Sequence, residues 1–185
     1  MYHIAIISSS VRAGRKSNRV ASFFLKYITE NNLASAEILD LLEYNFPIME
    51  ERAMNLANPS DQVKDFVAKV LKADAVIIVT PEYNGSFPAS LKNAIDLLVK
   101  EWHHKPIGLA AASNGNFGGM NAIAILQNVF LRIKAVPVPA TFPVPVVETT
   151  FDENGVPSDK EHTEKRAASF IKELLWFAEA FSKMK

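Results

Sequence analysis

The chain has no cysteine, no net charge and no hydrophobic run long enough to cross a membrane. The missing cysteine excludes disulfides, thiolate-ligated metal and a cysteine nucleophile, and it suits a reducing cytosol. Twenty Lys and Arg balance twenty Asp and Glu, so no global field favours nucleic acid, an anionic membrane or a polyanionic partner. Any anion site must be local. The stretch Met1-Tyr-His-Ile-Ala-Ile-Ile-Ser8 lacks the basic start and the apolar length of a signal peptide or membrane span. A soluble, cytoplasmic protein is expected. Several motifs are missing as well. There is no G-x-G-x-x-G dinucleotide fingerprint and no G-x-S-x-G elbow, and Gly14-Arg-Lys-Ser17 lacks the adjacent Gly-Lys pair of a triphosphate loop. His3, His103, His104 and His162 show no metal-ligand spacing with carboxylates, so no metal is expected.

What is present is a core and an alternation of elements. With 185 residues, 49% of them hydrophobic, residues 1–185 fit one compact domain. An apolar run at 4–7 is followed by Val20, Phe23, Phe24, Tyr27 and Ile28 at helical spacing. Residues 36–41 read as a second strand, and Asn58 with Pro59 behind it reads as the cap of a helix running to Leu71. Strands at 75–79 and 106–112 follow, each leading into a helix, the first from near Pro88 and the second from Gly118-Gly119 to about Ile133. Residues 136–147 carry four prolines and read as a broken or edge strand. Ser158 and Glu161 form a capping box for a last helix with a stripe of Ala168, Ile171, Leu174, Leu175, Ala178 and Phe181. Strands alternating with helices imply a parallel sheet covered on both faces. Ligands bind such sheets at the carboxyl ends of the strands.

Three loops therefore open on one edge: residues 8–18, 81–88 and 113–119. The first combines hydroxyls, cations and a helix start, a setting for a terminal phosphate. Ser10 and Ser17 can donate hydroxyl hydrogen bonds, Arg12 can supply charge, and the amides of Ser17, Asn18 and Arg19 can complete the cradle. A solvated basic loop capped by Ser17 is the plainer alternative. In the second loop, Pro81 is expected to halt ladder pairing and Asn84-Gly85 is a turn pair that exposes main-chain groups beside Tyr83. The third loop, Ser113-Asn-Gly-Asn-Phe-Gly-Gly119, has glycines that let a backbone approach a flat ring.

Pro81-Glu-Tyr-Asn-Gly-Ser86 followed by Leu91-Lys-Asn-Ala-Ile-Asp96 resembles the signature of the NADPH-dependent FMN reductase family, whose members include quinone, azo-dye and chromate reductases. Ser8, Ser10, Arg12 and Ser17 are similar to its phosphate binders and Gly118-Gly119 to its third flavin loop, although Ser9 stands where many members have glycine. The resemblance implies a flavodoxin-like, doubly wound five-stranded parallel sheet of order 2-1-3-4-5, and FMN as cofactor. It implies a flavin site on Ser8, Ser10, Arg12, Ser17, Asn18, Arg19, Pro81, Glu82, Tyr83, Asn84, Gly85, Ser113, Gly115, Gly118 and Gly119. NADPH or NADH would pass a hydride to the flavin, and a small-molecule acceptor such as a quinone, azo compound or free flavin would then take it, in ping-pong order. No catalytic side chain is needed for such chemistry. Arg15 and Lys16 are candidates for the extra phosphate of NADPH. The alternative is a flavodoxin-like electron carrier or FMN-binding sensor without turnover. The apolar helix from Met120 to Ile133, joined by Leu97, Leu98, Val99 and Trp102, is expected to form a homodimer interface, with a dimer of dimers as the larger form.

Overall fold

The computed structural model describes residues 1–184. Its five strands are β1 (His3–Ser8), β2 (Ser35–Asp40), β3 (Ala75–Pro81), β4 (Pro106–Ala112) and β5 (Val136–Val144). They pair in parallel in the order β2-β1-β3-β4-β5. The helices are α1 (Ser17–Glu30), α2 (Leu41–Tyr44), α3 (Asp61–Lys72), α4 (Ala89–Leu97), α5 (Met120–Arg132), α6 (Val147–Thr150) and α7 (Lys160–Ser182).

Period-two alternation divides the core in two. Ile4, Ile6, Ile77 and Val79 face α1 and α7, whose Phe23, Phe24 and Phe170 pack ring against ring with Phe142 of β5. Ala5, Ile7, Val76 and Ile78 face the opposite layer, which holds Phe66 of α3, Leu91 of α4 and Leu126 of α5. Burying each large aliphatic or aromatic side chain contributes roughly 1.5–3 kcal/mol before ordering costs. That drive comes from both faces, which is why β3 and β4 read as unbroken apolar runs.

Several local expectations change. Ser60, not Asn58, caps α3, because its hydroxyl reaches the Val63 N–H at 3.3 Å and leaves Pro59 outside the helix. Asp159 rather than Ser158 caps α7, its carboxylate accepting the His162 N–H at 3.0 Å, while the Ser158 N–H is used on the Thr150 carbonyl. Ala168 is exposed, and Ala167 and Phe170 take the inward positions beside Ile171, Leu174 and Ala178. Pro81 does not end the ladder. It pairs with Ala112, and the next donor, the Glu82 N–H, bonds the Ala112 carbonyl at 3.3 Å. The proline-rich β5 is an edge strand whose register shifts opposite Ile107 and Leu109.

Trp102, Leu97 and Leu98 are not available to a partner. All three are buried under their own chain, and the Trp102 indole N–H donates to the Ile95 carbonyl at 3.0 Å. On α5 the large apolar side chains left exposed are Met120, Ile125 and Leu131. At the far end of β2, the Tyr44 hydroxyl donates to Asp65 at 2.5 Å and Lys69 pairs with the same carboxylate at 2.9 Å, tying α2 to α3. Burial pushes the Tyr44 phenol up to about 12. No helix among the described residues is long and apolar enough to cross a membrane.

Candidate functional site

Because β1, β3 and β4 run in the same direction, the loops that follow them meet at one edge of the sheet. They border a cleft of about 430 Å³. Of the sequence candidates, Ser10, Arg12, Ser17, Pro81, Glu82, Tyr83 and Ser113 line it. Gly14, Asn114, Val147 and Glu148 line it too, and none of them was among the residues expected to hold flavin.

The first loop leaves β1 through Ser9, whose N–H continues the ladder to the Val79 carbonyl at 3.0 Å and whose own carbonyl accepts the Ser90 hydroxyl at 2.6 Å. Gly14, at φ +69°, turns the chain back toward α1. At the start of α1 the N-cap residue, Lys16, makes no side-chain capping bond. The hydroxyls of Ser8, Ser9 and Ser17 and the amide oxygen of Asn18 are buried without a hydrogen-bond partner among the described residues. Buried polar groups in folded proteins are nearly always satisfied. Of these four, Ser17 faces the cleft, beside an uncapped helix start and the exposed Arg12. That donor set fits a phosphate monoester.

The cations behind Arg12 are committed elsewhere. Arg15 forks onto Asp40 and also donates to the Ser10 carbonyl. Lys16 pairs with Glu148. Arg19 donates to the Phe151 carbonyl at 2.8 Å, and its N–H is used on the Lys16 carbonyl at 3.1 Å. Arg15 and Lys16, the candidates for the extra phosphate of NADPH, both line the cleft and are each paired with a carboxylate, while the side chain and the amide of Arg19 are bonded within the protein.

In the second loop Tyr83 and Ser86 exchange both backbone hydrogen bonds, at 2.7 and 3.0 Å, around Asn84 at φ +51° and Gly85 at φ +76°. Two consecutive positive φ values define a type I′ hairpin, which Asn-Gly adopts at least cost. The hairpin holds Tyr83 over the first loop, where its hydroxyl meets that of Ser10 at 2.9 Å. Glu82 points the other way. Its carboxylate accepts the N–H groups of Asn121 (3.0 Å) and Ala122 (3.3 Å) and the Asn121 side-chain amide (3.0 Å), so it caps α5.

The third loop is anchored by Ser113, whose N–H donates to the Val144 carbonyl and whose hydroxyl donates to the Gly115 carbonyl. Gly118 and Gly119 are buried and packed closely against the sheet. A Cβ on Gly119 would stand 2.6 Å from the Ala111 Cβ, and one on Gly118 would stand 2.9 Å from Pro143. Asn84 and Gly115 are on the rim outside the cleft wall.

Asp40 and Glu148 were legible in principle, since Asp40 ends the outer strand β2 and Glu148 lies in α6 just beyond the outer strand β5, but neither belongs to a motif.

A parallel sheet of this order, with a cleft bordered by the loops at the carboxyl ends of its central strands, defines a flavodoxin-like α/β protein. The chain belongs to the NADPH-dependent FMN reductase family, whose profile matches residues 2–149. A quinone reductase of Pseudomonas putida is 32% identical over 169 residues, covering 86% of this chain and 87% of the relative. An NAD(P)H-dependent FMN reductase of Schizosaccharomyces pombe is 30% identical over 148 residues, covering 77% and 73%. The fold matches that of FerB, a flavoenzyme NAD(P)H:(acceptor) oxidoreductase from Paracoccus denitrificans, with a TM-score of 0.78 at 21% identity over 96% of this chain and 99% of that one. The protein is thus an FMN-dependent oxidoreductase that draws electrons from NAD(P)H.

Proposed function

We propose that the cleft between the three loops is the FMN seat, and that the enzyme turns over by ping-pong exchange, the oxidised nucleotide NAD(P)+ leaving before a quinone, azo compound, free flavin or similar acceptor enters. The observation that carries this reading is the buried, unpartnered Ser17 hydroxyl facing the cleft at an uncapped helix start, beside Arg12. Bound FMN supplies the two-electron chemistry, accepting hydride from the reduced nicotinamide and passing it on.

The protein's part is binding and orientation. Ser17 and Ser10 donate hydroxyls to the phosphate, the guanidinium of Arg12 neutralises it, and the first amides of α1 add their dipoles. Pro81, Tyr83 and Ser113 wall the ring end. The Tyr83–Ser10 bond fixes the spacing between the two ends. A cytoplasmic setting agrees with a chain free of cysteine. The outward Met120, Ile125 and Leu131 of α5 supply the apolar contact of a homodimer, with a dimer of dimers as the larger assembly. Sedimentation at micromolar concentration as a monomer would remove that assembly.

Reconstitution with FMN, anaerobic mixing with NADPH or NADH, and initial rates with a quinone test the reading. Flavin bleaching and parallel double-reciprocal lines are expected. Intersecting lines would overturn the exchange mechanism, and bound FMN that no reduced nicotinamide bleaches would leave a carrier or sensor.

A further inference from the structure

We propose that Asp40 is a positioning residue for the phosphate seat, acting through Arg15; this rests on the reading of the cleft as the FMN site. The β1–β2 register sets Asp40 beside Ser8, the last residue of β1, so its carboxylate stands where the first loop departs. Arg15 grips it with both arms of the guanidinium, Nη1 to Oδ1 at 2.5 Å and Nη2 to Oδ2 at 2.6 Å. The same Nη1 donates to the Ser10 carbonyl at 2.8 Å. Asp40 is itself held, since Oδ1 accepts the Leu42 N–H at 3.0 Å where α2 begins. The two side chains are only 15% and 12% exposed.

A planar fork on a carboxylate has one favourable orientation. Ser10 therefore hangs from Arg15 by its carbonyl. Arg12 hangs from it too, because the Arg15 N–H donates to the Arg12 carbonyl at 3.1 Å. The backbone at two of the residues that meet the phosphate, Ser10 and Arg12, is thus fixed before the ligand arrives, which lowers the ordering cost of binding. The charge on Asp40 works against this, since a carboxylate near an anion site repels the anion. Geometry and charge thus make opposite predictions, and one substitution separates them.

Asp40→Asn removes the charge and keeps the shape. Charge alone would tighten FMN, whereas loss of the brace weakens it by about tenfold. Riboflavin, which lacks the phosphate, should bind the variant as it binds the parent. Arg15→Lys keeps the charge, loses the fork, and should give the same pattern. Flavin fluorescence quenching by the full chain measures both affinities, with the thermal midpoint recorded alongside as a check on folding. FMN affinity that is unchanged or raised in both variants overturns the proposal, and so does an equal loss for FMN and riboflavin. A parent protein that binds FMN no better than riboflavin removes the phosphate seat itself, a failure of the underlying reading that is distinguishable from failure of the brace.

Discussion

The hydroxyls of Tyr83 and Ser10 stand 2.9 Å apart although 73 positions separate them in the chain. This bond joins the hairpin after β3 to the loop after β1. Tyr83→Phe keeps the ring packing and deletes the bond, and it should cost about 1 kcal/mol of stability, the usual net worth of one partly buried hydrogen bond. Urea unfolding of the apo-protein measures it. A change below about 0.3 kcal/mol would mean that the two loops are held independently.

Glu82→Ala should lower stability by about 1–2 kcal/mol, because two first-turn amides of α5 lose their acceptor. The loss should be local. Amide hydrogen exchange at Asn121 and Ala122 should rise more than exchange in the middle of α5. Glu82→Gln, which keeps one carbonyl acceptor but not the charge at the helix start, should fall between parent and alanine variant.

Gly119→Ala combines a φ of +83° with a Cβ placed 2.6 Å from that of Ala111. Left-handed strain of roughly 1–2 kcal/mol and overpacking of similar size predict a loss of about 3 kcal/mol. Gly115→Ala meets nothing within 4 Å and should change stability by less than about 0.5 kcal/mol. Thermal melts of the two variants side by side test the contrast. Equal losses would show that Gly119 is not packed as described.

The Tyr44–Asp65 bond makes stability depend on pH at both extremes. Burial first, then the hydrogen bond to Asp65, raises the Tyr44 phenol from 10.0 to about 12, so the folded state favours its neutral form. That contribution is intact below pH 10 and is lost as pH rises toward 12. The Tyr44 hydrogen bond first, then Lys69, holds the Asp65 carboxyl below its ordinary 3.8. Its share is present above that value and disappears as pH falls through the lowered one. The stability gap between parent and Tyr44→Phe should therefore be widest near neutrality and narrow at both ends, measured by urea unfolding across pH 3–11. A gap independent of pH would remove this account.

The architecture was legible because both signals it needs are local. Apolar runs such as 75–79 mark buried strands, and spacings such as Val20, Phe23, Phe24 and Tyr27 mark helices. The three loops of the site could be assigned to one edge from alternation alone. What each side chain does there was less legible. Arg12 and Arg15 look alike in sequence, yet one is exposed at the mouth and the other is bound to a carboxylate 25 positions away. Glu82 belongs to the ring loop by motif but spends its charge on a helix nearly forty positions downstream. Trp102 read as an interface residue because its burial depends on α3 and α5 closing over it. In each case the deciding partner is distant in the chain, and no periodicity reports it.

The prolines of β5 have a consequence for assembly. Pro137, Pro139 and Pro143 share one parity along the strand, and the Val136 N–H, of the other parity, donates to the Lys105 carbonyl on the side of β4. The register shift moves the pairing by two residues and preserves that phase. The missing donors therefore all fall on the open flank, which offers an incoming strand no amides at those positions. Growth of the sheet beyond β5 is therefore disfavoured by sequence, since Thr141 alone among the β5 residues of that parity keeps an N–H to offer.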